Sequence, residues 1–288
     1  MRRVRLESLG VSLPRRRLVG NGSLAHALRA GRACLAASRY APADVDLLVN
    51  CGVHRDGHVC EPAIACYIQD GLGINPEFRG HDTLSFDLLA GGVGPLVAMQ
   101  VVAAQLLAGD IAAGMVVMSE ANSDRRPDPG YPYPPSGAAA LLDVSPQKDV
   151  GFGPFAFHTD ERHAGLFTSV VALDRPRGRL LLRRAPGLED AYLAGAVPAA
   201  REALERDGLA PGEVDLVVPA QVSPALIARL QGALGVPAGR VLDLTAELPD
   251  THTTSVLLAL ARARAPGKRL LLLAFGSGVT VGAVVYRS

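Results

Sequence analysis

The amino-acid sequence predicts an α/β protein made of two similar βαβαβ halves, stacked as α/β/α/β/α layers. Two segments carry most of this prediction, "APADVDLLVNCG" at 41–52 and "APGEVDLVVPAQ" at 210–221, which share Ala-Pro followed by Val-Asp-Leu. Each is followed by helix, strand, turn, helix and strand in the same order. The strands are short apolar runs, as expected for sheets covered by helices on both faces. A repeat offset by about 170 residues indicates a duplication rather than a solenoid.

The N-terminal half is predicted to span residues 1–145. A helix in "LAHALRAGRACLAASRY" precedes the strand "DLLVNCG", and a second helix follows in "EPAIACYIQDGLG". The strand "TLSFDLL" then enters a glycine-rich turn at 91–94, which opens a long apolar helix before the strands "GMVVMSEA" and "SGAAALLDV". Such a tight strand-to-helix turn is where many α/β enzymes present a nucleophile. Here it holds only Gly91, Gly92, Val93 and Gly94, so no side chain on it can attack.

The C-terminal half is predicted to span residues 146–288, beginning with a connection at 146–185. The densely polar "FHTDERHAG" in that connection favours a solvated segment. Helices are expected in "VPAAREALERDG", "SPALIARLQGALG" and "SVLLALARARA", with strands in "VDLVVPAQ", "RVLDL" and "RLLLLAFGSG".

Composition narrows the classes of function. Over 288 residues, 29 Lys and Arg balance 28 Asp and Glu, so charge favours neither nucleic acid nor an anionic membrane as a partner. We find no run of about 18 uncharged apolar residues, and "MRRVRLESLG" lacks the apolar core of a signal peptide, so a cytoplasmic protein is expected. The four cysteines show no CxxC spacing. We therefore expect no metal and no cofactor.

Five segments, in order, resemble the thiolase superfamily, and within it the β-ketoacyl-carrier-protein synthase III type. They are "SFDLLAGGVG", "GDIAAGMVVMSEA", "VDLVVPAQ", "LPDTHTTSVLLAL" and "LLLLAFGSGVTVGAVVYR". The resemblance implies a thiolase-like fold and a Cys-His-Asn catalytic set. It places the cysteine at Gly92, the histidine at Ala220, which Gln221 follows, and the asparagine at Asp250. All three residues are replaced, so no acyl-cysteine can form at position 92.

The resemblance also implies where substrate would lie. Backbone N–H groups at 92–94 and 276–278 would remain as an oxyanion site. The substrate-binding candidates share a place around this pocket: Gly92, Val93, Ala220, Gln221, His58, Gly276 and Ser277.

Asp250 and His252 are the first catalytic candidates, because Asp250 stands at the expected asparagine position and His252 follows two residues later. His252 would act as a general base, and a carboxylate would stabilise its protonated form. The alternative is structural: Asp250 or a neighbouring threonine caps the helix, and His252 fills space.

The second candidate cluster is "NCGVHRDGHVCEPA", with His54, His58 and Glu61 in the loop after the first-half strand. Relatives use this loop beside the pocket or the dimer interface, and some use a carboxylate there as a base, so His54 and Glu61 are catalytic candidates. A metal pair of His54 and His58 is disfavoured, because the intervening Asp-Gly predicts a turn. A plain surface loop is the remaining alternative.

Two hypotheses for function follow. In the first, the chain acts on acyl thioesters of a carrier protein or coenzyme A, in polyketide, fatty-acid-type or other secondary metabolism. It would work by non-covalent acyl transfer, hydrolysis or cyclisation. In the alternative, it is a non-catalytic partner of an active ketosynthase, or a module that binds an acyl chain or carrier protein. A homodimer is expected in the first case and a heterodimer in the second.

Overall fold

The computed structural model describes residues 2–14, 21–75, 82–122, 124, 129–172 and 179–288. Its first sheet contains β1 (Val4–Ser12), β2 (Leu47–Asn50), β3 (Leu84–Asp87), β4 (Ala113–Glu120) and β5 (Ser136–Val144). The order is β1-β5-β4-β2-β3. Strand β2 runs parallel to β3 and β4, whereas β5 is antiparallel to both of its neighbours.

The second sheet repeats this order of parallel and antiparallel neighbours. Its strands are β6 (Gly151–Phe152), β7 (Ala156–Thr159), β10 (Leu216–Pro219), β11 (Arg269–Gly276) and β12 (Thr280–Arg287). The order is β10-β11-β12-β6, and β7 also pairs with β12. A separate hairpin of β8 (Phe167–Ala172) and β9 (Arg179–Arg184) precedes the helix Leu188–Asp207.

Within the described residues, six α-helices complete five layers: α1 (Ser23–Ala36), α2 (Ile64–Leu72), α3 (Gly94–Ala108), α4 (Leu188–Asp207), α5 (Pro224–Leu234) and α6 (Ser255–Ala263). Helices α1 and α2 cover the outer face of the first sheet, and α4 with α5 covers the outer face of the second. Helices α3 and α6 lie between the two sheets and contact both. This is the layered α/β arrangement that the sequence predicts.

The central position of α3 explains its composition. Leu96, Met99 and Val102 on this helix are fully buried, because both flanking layers are sheets. The sequence was expected to hold no run of about 18 uncharged apolar residues. Within the described residues, however, the stretch Gly91–Ala108 is long and apolar enough to cross a membrane, although 61% of it is buried inside the protein. Burial between two sheets is the physical reason for its hydrophobicity.

Two further expectations differ from the structure. The predicted strand "RVLDL" makes only a single parallel bridge, between Val241 and Val217. The polar segment "FHTDERHAG" is not simply a solvated connection, since its first residues form β7 and pair with β12. The hairpin that follows it brings side chains to the site described next.

Candidate functional site

A buried carboxylate, Glu120, lies between two histidines at the end of β4. His54 follows β2 and His252 precedes α6, so the ends of two neighbouring strands and one helix meet here. The distance from His54 Nδ1 to Glu120 Oε2 is 2.6 Å, and that from His252 Nδ1 to Glu120 Oε1 is 3.0 Å. Glu120 is fully buried, and the two histidines are 3% and 8% exposed. We call these three residues the Glu120 cluster.

Glu120 accepts five hydrogen bonds in total. Besides the two imidazoles, its donors are the backbone N–H groups of Val53 and His54, at 3.2 and 3.1 Å, and the Thr253 hydroxyl, at 2.5 Å. Burial alone would raise the pKa of Glu120, but attraction to the two histidines and their hydrogen bonds outweigh it and hold that pKa far below 4.5. Glu120 is therefore an ionised acceptor, and each histidine donates to it through Nδ1.

Aromatic rings enclose the Glu120 cluster. Tyr133 stacks on His54 with centroids 5.5 Å apart and lies 4.8 Å from His252. Tyr131 meets His54 edge-on at 5.2 Å, and Phe167 stacks on His252 at 6.0 Å. None of these three aromatic residues was among the site residues predicted from the sequence. The signal that could have found the tyrosines is their place in the Pro-rich stretch "YPYPP" just before β5.

An open cleft of about 800 Å³ lies beside the cluster, with His252 in its wall. The turn at Gly91, the tip between β11 and β12, and the β8 strand form its sides. Further lining residues are Val53, Leu89, Val93, Phe157, Ser169 and Ser277. Of the substrate-binding candidates, Val93 and Ser277 therefore face this cleft.

Gly92 has no room for a side chain. A Cβ placed on it would lie 2.2 Å from the carbonyl oxygen of Phe275 and 3.8 Å from Cδ2 of His252. Gly276 is equally confined, because its Cβ would lie 2.8 Å from a methyl group of Val93. Both glycines thus allow the turn and the end of β11 to pack closely.

The Ala220 and Asp250 positions line a different space. Together with His252 they border a cavity of about 20 Å³, close to the size of one water. Asp250 pairs with Arg184 at 2.8 Å and accepts the backbone N–H of His252 at 2.8 Å. Burial raises the pKa of Asp250, against the opposing pull of Arg184. The carboxylate on the His252 ring is Glu120, not Asp250.

Gln221 supports the backbone. Its Nε2 donates to the carbonyls of Pro219 and Leu242, and its Oε1 accepts the N–H of Leu244. It is completely buried and does not line the cleft.

The other two loop candidates lie away from the Glu120 cluster. His58 Nε2 lies 2.7 Å from Asp124 Oδ1, so His54 and His58 contact different carboxylates. Glu61 is exposed on the segment before α2. Neither residue lines the cleft.

The Glu120 cluster is also the group of residues in the described ranges that could hold a metal ion, since its ligand atoms lie within 4.8 Å of one another. A metal would require both Nδ1 atoms to lose their protons. Each Nδ1 instead lies at hydrogen-bond distance from a different oxygen of Glu120. This geometry favours two N–H···O hydrogen bonds to Glu120 over coordination of a metal ion.

Comparison with known proteins gives the same fold. Residues 204–288 match the family of the 3-oxoacyl-[acyl-carrier-protein] synthase III C-terminal region. The β-ketoacyl-[acyl-carrier-protein] synthase III of Rhodospirillum rubrum is 29% identical over 284 residues, covering 91% of this chain and 83% of that protein.

Two solved structures are similar over almost their whole length. The priming β-ketosynthase of the R1128 polyketide biosynthetic pathway has a TM-score of 0.83 and 25% identity, covering 99% of this chain and 97% of that one. The 3-oxoacyl-(acyl carrier protein) synthase III of Pseudomonas aeruginosa PAO1 has a TM-score of 0.83 and 22% identity, with 99% and 98% covered. The chain thus has the fold of these synthases and resembles them in sequence, as its likeness to the synthase III type of the thiolase superfamily implies.

Proposed function

We propose that this protein carries out acyl transfer, hydrolysis or cyclisation on acyl thioesters without a cysteine-bound intermediate, using His252 as a general base. One observation carries the proposal: His252 lies in the wall of the cleft, hydrogen-bonded to the ionised Glu120. Its ring is also 3.8 Å from the point where Gly92 would carry a Cβ, which is the expected cysteine position.

In this mechanism, His252 donates through Nδ1 to Glu120 and uses Nε2 as the base. Nε2 takes a proton from water or from an alcohol or amine acceptor, which attacks the thioester carbonyl. Glu120 stabilises the imidazolium that forms. The C–S bond then breaks, and the leaving thiolate takes the proton from Nε2, which returns His252 to its starting state. We place the oxyanion near the turn at Gly91 and the tip at Ser277 and Gly278, all of which line the cleft.

The substrate class follows from the cleft and from the relatives' names. Leu89, Val97 and Phe157 give the cleft an apolar wall suited to an acyl chain. The curated relatives are synthases of β-ketoacyl-[acyl-carrier-protein], and one solved structure belongs to a polyketide pathway. We therefore propose carrier-protein or coenzyme A thioesters, handled in the cytoplasm in fatty-acid-type or polyketide metabolism.

The test incubates the purified chain with acyl-carrier-protein and acyl-coenzyme-A thioesters, with and without alcohol and amine acceptors. Intact mass reports loss of the acyl group from its carrier. We expect turnover in the wild type and a loss of about 10²–10⁴-fold in His252→Ala. His158→Ala is the matched control, because that histidine is exposed and does not line the cleft. Unchanged turnover in His252→Ala would remove the base assignment.

A non-catalytic partner role is the second candidate, favoured by a specific observation. A Cβ at position 92 would lie 2.2 Å from the carbonyl oxygen of Phe275, so the backbone would have to shift to hold a cysteine there, and the space at Ala220 and Asp250 is close to the size of one water. Its test mixes the chain with a cysteine-bearing synthase III and measures condensation. Higher synthase activity in the mixture, with every thioester untouched by the chain alone, would support this role.

We also propose self-association through β3. Among the residues that the structure describes, this strand is the edge of the first sheet and pairs only with β2. Leu84 on the strand is 65% exposed, and Leu89 just beyond it is 62% exposed. An unpaired apolar edge of this kind is suited to pairing with a second copy of the same strand.

A further inference from the structure

We infer that Ser169 is a nucleophile that carries the acyl group as an ester. His54 activates the Ser169 hydroxyl, and Glu120 orients His54. The Ser169 hydroxyl oxygen lies 3.0 Å from His54 Nε2, and His54 Nδ1 lies 2.6 Å from Glu120 Oε2. A hydroxyl, an imidazole and a buried carboxylate in this order are the arrangement that activates serine for acyl transfer.

The protonation states follow from the partners. An ionised carboxylate only accepts, so the short contact with Glu120 places the proton of His54 on Nδ1. In this tautomer Nε2 of His54 carries the lone pair, and the Ser169 hydroxyl 3.0 Å away donates to it. Tyr133 stacks on the imidazole and Tyr131 meets its edge, so the ring is held in this orientation.

Ser169 also has access to substrate. It lies on β8, opposite Leu182 of β9, and it lines the 800 Å³ cleft together with Thr168 and Val170. His54 and Glu120 are almost completely buried behind it. The Glu120 carboxylate and the His54 imidazole are thus shielded from water, and only the Ser169 hydroxyl reaches the cleft. This arrangement matches the requirements of an activated nucleophile.

This assignment explains how chemistry could persist with Gly92 in the turn. The carbonyl of Phe275 leaves no space there for a side chain. The nucleophile would come instead from the β8–β9 hairpin, on the other side of the same cleft. The reacting carbonyl could then still lie between Ser169 and the backbone around Gly91.

The reaction balances in two steps. Ser169 Oγ attacks the thioester carbonyl as its proton passes to His54 Nε2, then the C–S bond breaks and the leaving thiolate takes that proton. A water, alcohol or amine acceptor next attacks the ester and gives its proton to His54. The bond to Ser169 Oγ breaks, and the oxygen recovers the proton.

The inference rests on the proposed function for its substrate class, and it replaces direct attack by an acyl-serine step. The two mechanisms make different demands on the two histidines. Direct attack requires His252 and leaves no acyl group on the protein. The serine route requires Ser169 and His54, with Glu120 as the positioning residue and His252 of smaller effect.

The experiment uses the full chain and two probes, an alkyl fluorophosphonate and octanoyl-coenzyme A, followed by intact-mass and peptide-mass analysis. We expect label and octanoyl ester on Ser169, and turnover reduced at least about 10³-fold in Ser169→Ala and in His54→Ala. Ser12→Ala is the matched control, because Ser12 lies 3.0 Å from His26 Nδ1 yet does not line the cleft. It should retain both labels.

A second variant separates nucleophilic from structural roles. Ser169→Cys keeps a nucleophile at the same place, so its octanoyl adduct should become a thioester that neutral hydroxylamine cleaves. Thermal unfolding of each variant shows whether the hairpin remains folded. A residue that only ties β8 to His54 would not produce this change in adduct chemistry.

Each outcome of these labelling and turnover experiments supports or overturns the acyl-serine inference, the proposed function, or both. Thioester turnover that survives in Ser169→Ala, with no adduct on the wild type, would overturn the inference and leave the proposed function standing. Label on Ser169 without consumption of any thioester would keep the activated serine and remove the proposed substrate class. Neither label nor turnover would overturn both.

Discussion

Replacing Glu120 with glutamine removes one charge from the buried cluster while keeping the shape of the side chain. The carboxylate accepts five hydrogen bonds, and both of its oxygens are used. An amide has one accepting oxygen and one donating nitrogen, so one side of residue 120 must now face donors. On the Oε2 side these are the backbone N–H and Nδ1–H of His54, and on the Oε1 side they include the backbone N–H of Val53.

The size of the effect follows from counting those groups. On either side, one backbone N–H cannot turn away and one imidazole must change its tautomer. The imidazole that changes its tautomer can accept from the amide, so the backbone N–H is the donor left unsatisfied, at a cost of about 1–3 kcal/mol. That is a measurable fraction of a typical stability of about 5–15 kcal/mol. A wrong tautomer lowers turnover by about 10⁴-fold in triad enzymes, and we expect a similar loss here.

Urea unfolding of wild type and Glu120→Gln, compared at constant m-value, measures the first effect. Glu202→Gln is the control, since Glu202 is 52% exposed in its pair with Arg206 and should change stability by less than about 1 kcal/mol. If Glu120→Gln differed from wild type no more than this control does, Glu120 could not be the ionised acceptor described above.

Three further predictions follow from the same structure. Because the pKa of Glu120 is lowered on folding, the stabilisation that this carboxylate provides is present above pH 4.5 and is lost only as pH falls toward that lowered pKa. The difference in free energy of unfolding between wild type and Glu120→Gln, measured from pH 8 to pH 3, should therefore narrow only at the acid end. A gap already closed at pH 6 would contradict this. Gly92→Ala should destabilise by about 1–3 kcal/mol, because its Cβ meets the Phe275 carbonyl, whereas Gly212→Ala, with nothing within 4 Å, should be near neutral in the same urea assay. Equal effects of the two would show that the backbone relaxes freely. Leu84→Lys at the β3 edge should convert a dimer to a monomer in light scattering, and an unchanged mass would place the interface elsewhere.

Much of the fold could be predicted because its signals are local. Short apolar runs and helical periodicity identified β2, β10 and the helices around them, and the repeated Val-Asp-Leu pointed to two similar halves. The duplication itself stays a prediction. The strand at 240–244 was overestimated, because propensity cannot tell a paired strand from the single bridge at Val241. The role of the 146–185 connection was underestimated, since β7 pairs with the distant strand β12 and such pairing has no local signal.

The site was predicted only in part, and for a related reason. His54 and His252 stand out in the sequence by type and by place. Glu120 does not stand out in the sequence, because it follows seven buried strand residues and resembles the end of a core strand. Only the tertiary fold shows that the ends of β2 and β4 bring it between the two histidines. The same holds for Ser169, whose partner is 115 residues away in sequence.

The replacement at position 92 and the histidine at position 252 are physically connected. A side chain at 92 would have to displace the Phe275 carbonyl on one side and would approach the His252 ring on the other. The His252 ring is fixed in turn by Glu120, Tyr133 and the helix that it precedes. A Cβ at 92 therefore conflicts with the Phe275 carbonyl oxygen, whereas its 3.8 Å approach to the His252 ring is an ordinary van der Waals contact. We expect that restoring the cysteine alone would not give a condensing enzyme, because Ala220 and Asp250 stand where the resemblance places the histidine and the asparagine.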